Sequence, residues 1–235
     1  MRWLLLIGWL LLGATLVLWH RGPGQDWVRL DEAAALLAKG DRCAAEGLWG
    51  EAVAAYDAAL GLLPAARVDT ARRVRLAKAQ ALMRNKQLDR AREGLEALCV
   101  EMQADPAADR ALLARARSAL AQAHYYTTWV MRLRGEPREH WEPEVEAARQ
   151  TYRLLAEQAG ERGDETAQRG HQEDLETAVR LARMDIDELQ GRPLPGGVGG
   201  VGKKSPSPAK STTTQRPPAD SRGASSGPPP DTGGH

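Results

Sequence analysis

The side chains able to carry chemistry are few and scattered. Five histidines occur, His20, His124, His140, His171 and His235, and no two stand four apart, the spacing that sets both imidazoles on one helix face for a metal. His171 does not open a metalloprotease motif, because Gln172 stands where the glutamate belongs and Leu175 where the second histidine belongs. Ser118 is the only serine ahead of the C-terminal stretch that starts at Gly191; it lies in an alanine-rich run without a strained turn or adjacent base, so hydrolase chemistry lacks its nucleophile. The two cysteines, Cys43 and Cys99, fall in helical patterns where an unpaired thiol serves as a small buried apolar group. Glu139, Glu142, Glu144 and Glu146 crowd one helix start, where carboxylates favour the positive end of the helix without any substrate. The expectation is no catalytic residue, no metal and no cofactor.

Two phosphate-binding patterns occur near the C-terminus and lack their context. Gly197-Val198-Gly199-Gly200-Val201-Gly202 has the spacing of a dinucleotide loop, but Pro193-Leu194-Pro195 precedes it and Lys203-Lys204-Ser205-Pro206 follows. Without a strand before and a helix after, no backbone amides are aimed at a pyrophosphate. The same glycines fail as a P-loop, because Lys204 sits where a magnesium-binding hydroxyl is needed.

One aromatic cluster stands apart: Tyr125, Tyr126, Trp129, His140 and Trp141, flanked by Arg132, Arg134 and Arg138. It reads either as packing that fills a wide gap between helices or as a partner-binding patch, since Tyr, Trp and Arg dominate interface energetics. A membrane-bound enzyme with its site near His140 and Trp141 is an alternative. That alternative requires a deep polar pocket with a strongly perturbed His140 or Glu139.

These residues are carried by a helical body. Ala, Leu, Arg and Glu dominate the middle of the chain and Phe is absent, which favours helices over sheet. Between Gly47 and Pro64 the residues Gly47, Trp49, Ala52, Tyr56, Ala59 and Pro64 fall at offsets of 2, 3, 4, 3 and 5, a turn followed by a helix with one small-and-aromatic face. Ahead of it, Gly40 and Cys43 take the small and medium positions of a preceding helix. Leu88, Ala91, Leu95 and Leu98 repeat the plan 39 positions later, with Lys86 at the place of Gly47 and Asn85 beside it able to take the left-handed conformation instead. Ala148, Tyr152 and Leu155 repeat it again. Here an excess of about twenty residues over a simple repeat is expected as a longer helix and a loop from Gly135-Glu136-Pro137 to Trp141-Glu142-Pro143, with Pro143 opening the next helix.

This pattern resembles the tetratricopeptide repeat family, most closely over Gly47 to Pro64. The resemblance implies an all-α solenoid of helix hairpins over residues 25–190, with repeats near 33–66, 72–105 and 106–160 and a capping helix over 164–190. It further implies a concave groove lined by first helices, which in the family holds a peptide or a neighbouring protein and performs no chemistry. Asp41, Arg73, Gln80 and Arg84 are the candidates to hold such a partner, Asp41 and Gln80 at one shared repeat position; Tyr125, Tyr126, Trp129 and Trp141 form the possible aromatic patch.

Ahead of the body, Trp3 to Trp19 contains no charge and ends in tryptophans flanked by Arg2 and His20-Arg21, as an N-terminal transmembrane helix does. No small-residue cleavage site follows this run, so residues 1–24, closed by Gly22-Pro23-Gly24, read as an uncleaved single-pass anchor in the cell membrane with the body on the exported side. Residues 191–235, rich in Pro, Gly, Ser and Thr, read as a disordered tail. With 32 basic and 31 acidic residues the chain carries no polyanion-binding signature, so a nucleic-acid partner is not expected, nor is a small-molecule substrate. The functional expectation is a membrane-anchored adaptor that holds a protein partner and helps assemble or stabilise a membrane complex. A spacer that contacts only its own copies is a further alternative.

Overall fold

The computed structural model describes Trp3, Trp9 and residues 23–191. The tail and most of the apolar N-terminal run lie outside the described residues. Of that run, Trp3 and Trp9 are helical and 79% and 81% exposed. No helix among the described residues is long and apolar enough to cross a membrane.

Among the described residues of the body only helices occur: α1 Pro23–Ala45, α2 Trp49–Leu62, α3 Val68–Arg84, α4 Leu88–Ala104, α5 Arg110–Leu133, α6 Arg138–Glu161, α7 Glu165–Arg183 and α8 Ile186–Gln190. Each of α1 to α6 packs against its successor, and α3 also meets α5, while α8 lies against α5. This is the packing of stacked helical hairpins. The second helices bury one recurring face: Ala52, Tyr56 and Ala59 of α2, Ala91, Leu95 and Leu98 of α4, and Ala148, Tyr152 and Leu155 of α6 are each at most 5% exposed. Small residues let the first helix approach while the larger one fills the space between hairpins.

The hairpin turns share one geometry. The N–H groups of Gly47 and Leu48 donate to the carbonyls of Ala44 and Cys43, those of Lys86 and Gln87 to Met83 and Leu82, those of Gly135 and Glu136 to Arg132 and Met131, and those of Gly163 and Asp164 to Gly160 and Ala159. Each pair closes a helix C-terminus through a residue in the left-handed region, with φ of 79°, 61°, 71° and 71° for Gly47, Lys86, Gly135 and Gly163. Lys86 itself takes this conformation. Asn85, the expected alternative, has φ −80°, because the two hydrogen bonds fix which position must turn, whatever residue stands there.

Three further expectations are corrected. Residues 138–142 are not a loop: α6 begins at Arg138, directly after Pro137, and Pro143 lies inside it. Only the bond to the Glu139 carbonyl is lost there, and Glu139 is exposed, so that carbonyl has water available. The excess of the third unit therefore goes into two helices of 24 residues each. The final helix is two, since Met184 and Asp185 are extended, with ψ of 142° and 159°; this bend buries Met184 and Leu189, 6% and 0% exposed. The expected break at Gly22-Pro23-Gly24 does not include its last two residues, because Pro23 and Gly24 are helical in α1, while Gly22 lies outside the described residues.

Candidate functional site

Where α1, α2 and α3 meet, a cleft of about 220 Å³ opens between the first two hairpins. α1 contributes Asp41 and Ala44, α2 contributes Trp49 and Tyr56, and α3 contributes Ala77, Gln80, Ala81 and Arg84. The first helices supply the polar groups because Asp41 and Gln80 stand at the same distance, six residues, before the left-handed turns at Gly47 and Lys86. Three of the four expected groove residues are thus brought together. Arg73 is not: it is exposed and lies one turn before Ala77 on α3, beyond the end of the cleft.

Two contacts organise the site. The Tyr56 hydroxyl donates to Asp41 Oδ1 at 2.7 Å; burial, reinforced by the Asp41 carboxylate, pushes the phenol well above its usual value, so it remains a donor. The Arg84 guanidinium lies 5.7 Å from the centre of the Trp49 ring, within cation–π range. Tyr56 needs a gap in α1. A Cβ on Gly40 would stand 2.6 Å from Tyr56 Cε1, so the glycine lets the ring reach Asp41. Carboxylate, carboxamide and guanidinium together present both acceptors and donors beside the Trp49 and Tyr56 rings and the alanines of the cleft.

The aromatic set is divided. Tyr125, Tyr126 and Trp129 are buried, at 7%, 9% and 3% exposure, with Tyr125 and Tyr126 edge to face at 5.9 Å, so these three belong to the core rather than to an outer patch. Trp141 is half-buried and covered by Arg132, 4.8 Å from its ring centre, and by Arg138 at 6.0 Å. Arg132 donates through both terminal nitrogens to the carbonyls of Leu181 and Met184 at the end of α7. His140 is exposed and stands 3.7 Å from Glu136.

Trp49 and Tyr56, which the sequence shows only as the aromatic positions of a recurring helix face, are also walls of the cleft. The Asp41–Tyr56 separation of fifteen residues joins facing positions of one hairpin, a signal that was present. Among the described residues, no group of three or more His, Cys, Asp or Glu side chains is arranged to hold a metal ion; Cys43 and Cys99 are free thiols, both buried.

No protein-family model, no curated protein and no solved structure matches this chain.

Proposed function

We propose that the chain is a tetratricopeptide-like adaptor that holds a protein partner in the cleft between its first two hairpins. It is tethered to the cell membrane by Trp3 to Trp19, with its body on the exported side. The observation that carries this reading is the convergence of Asp41, Gln80 and Arg84 with the Trp49 indole on one cleft. The tether confines the cleft to the bilayer surface and so raises the effective concentration of any partner in the same membrane complex. Binding is then mostly main-chain hydrogen bonding to Asp41, Gln80 and Arg84, with Trp49 offering an apolar face to one side chain.

A photo-crosslinking residue at position 80 of the full chain in its native membrane tests this, with position 100, 67% exposed on α4, as the reference. The expected result is a discrete adduct from position 80 that is absent from position 100 and lost in Arg84→Glu. Equal adducts at both positions, or none at position 80, would remove the cleft as the binding site.

A further inference from the structure

α1 is longer than its partner by nine residues, 23 against 14 in α2, so about 13 Å of it stands beyond the hairpin. Its inner side is accounted for by Ala33, Gly40 and Cys43, all buried. Its outer side is not. Trp27 and Val28 are 65% and 66% exposed, and Ala34, Ala35 and Ala38 continue the same exposed face with Asp31 as its one charge. Trp27 and Val28, side by side on the overhanging start of a helix, have no role in the hairpin core and form a candidate contact surface.

The chain ahead of α1 indicates what covers it. Trp19 ends the uncharged run, and the four steps from Trp19 to Pro23 span at most about 14 Å, while Pro23 to Trp27 adds about 6 Å along the helix. Trp27 therefore stays within about 20 Å of the end of the apolar run, and the lipid surface is the one apolar partner that such a tether holds there at all times. Tryptophan settles at the level of the lipid headgroups, its body apolar and its N–H hydrogen-bonded. Arg29, Asp31 and Glu32 give this stretch a net negative balance, which suits a zwitterionic surface and disfavours an anionic one.

We propose that the outer face of α1, led by Trp27 and Val28, is seated in the headgroup layer of a zwitterionic bilayer and fixes the orientation of the body on the membrane. This rests on the membrane tether of the functional reading above. Seated in this way, α1 is a lever: the hairpins that form the cleft follow its direction, so the cleft meets its partner at a set height and angle.

The test uses the full chain in phosphatidylcholine vesicles containing lipid brominated near the carbonyl end of its acyl chains. A fluorophore is attached in turn at Val28→Cys, Val100→Cys and Gly13→Cys. Quenching at position 28 about twofold or more above that at position 100 is expected, with position 13 quenched as well. Quenching at 13 with 28 no different from 100 overturns the seated face and leaves the tether standing. No quenching at 13 overturns the tether and this inference with it. A label at 28 shielded from aqueous iodide but untouched by the brominated lipid shows that a second copy or another protein covers the face, which also overturns the inference.

Discussion

The Tyr56 hydroxyl reaches back fifteen residues to the carboxylate of Asp41 at 2.7 Å, joining the ring that packs the first hairpin to an acceptor on the wall of its cleft. Core and site are thus linked by one side chain. Gly40 completes the arrangement, because a methyl there would fall on the same ring. The second hairpin solves the packing differently: Ala79 and Leu95 stand at the positions of Gly40 and Tyr56 and are 3% and 0% exposed.

A double-mutant cycle on this pair is the first prediction. Gly40→Ala alone overpacks the ring and costs about 1–3 kcal/mol, and Tyr56→Leu alone loses the hydrogen bond and aromatic packing, about 1–3 kcal/mol. Together they recreate the Ala–Leu pairing of the second hairpin, so the double variant is more stable than the sum of the two losses predicts. Urea denaturation of all four proteins checks this, and strict additivity would refute the close approach.

The second prediction concerns the turn between α3 and α4. Lys86 holds φ 61°, a conformation that costs an L-residue about 1–2 kcal/mol, whereas glycine there loses about 0.4–1 kcal/mol through its freer unfolded chain. Lys86→Gly should therefore stabilise the body by about 0.5–1 kcal/mol. Asn85→Gly, one residue earlier at φ −80°, should destabilise it. Chemical denaturation with an unchanged m-value distinguishes the two outcomes; stabilisation by Asn85→Gly would place the left-handed residue at position 85.

These two cases show what a single sequence discloses. The faces 52/56/59, 91/95/98 and 148/152/155 were legible because burial on a helix demands a period, and the period survives insertions between units. The start of α6 was not, since Arg138, Glu139, His140 and Glu142 supply no apolar period and Pro143 resembles a helix opener. Lys86 was hidden because its conformation is imposed by two hydrogen bonds rather than by its side chain. In the site, Asp41 and Gln80 were legible from their shared repeat position. Arg73 lies on the same stripe of α3 as Gln80, and only the length of the cleft excludes it. The Arg132 contacts to Leu181 and Met184 span 49 and 52 residues, and no local pattern encodes a contact of that range.

Those contacts give the third prediction. Arg132 is 8% exposed, and burial lowers its pKa below the ordinary arginine value; it serves the carbonyl end of α7, where a cation also meets the helix dipole favourably. Arg132→Gln should cost about 2–3 kcal/mol and should act locally. Amide hydrogen exchange is expected to quicken in α7 and α8 while α2 and α3 keep their protection. Arg132→Lys should not rescue it, because one ammonium cannot bridge two carbonyls while stacking on Trp141. Uniform loss of protection along the body would show that α7 does not open on its own.

The fourth prediction is a pH dependence set between α5 and α6. Glu144 Oε2 stands 2.7 Å from His124 Nδ1, with the two side chains 19% and 12% exposed. The hydrogen bond from His124 holds the Glu144 carboxyl below its usual value against the opposing effect of burial, and Arg92 adds a smaller attraction. The sign follows from linkage. A carboxylate depressed in the folded state contributes stability above its unfolded pKa of about 4.3, and that contribution is lost as the pH falls through the folded value. Glu144→Gln should therefore lower stability at neutral pH by about 1–2 kcal/mol and flatten the decline below about pH 5. Thermal unfolding of both proteins across the acid range measures it. If the variant and the parent lose stability in parallel below pH 5, the His124–Glu144 pair contributes nothing to the acid limb, and the shift belongs to other carboxylates such as Glu101, which is held low by Arg75 and Arg72.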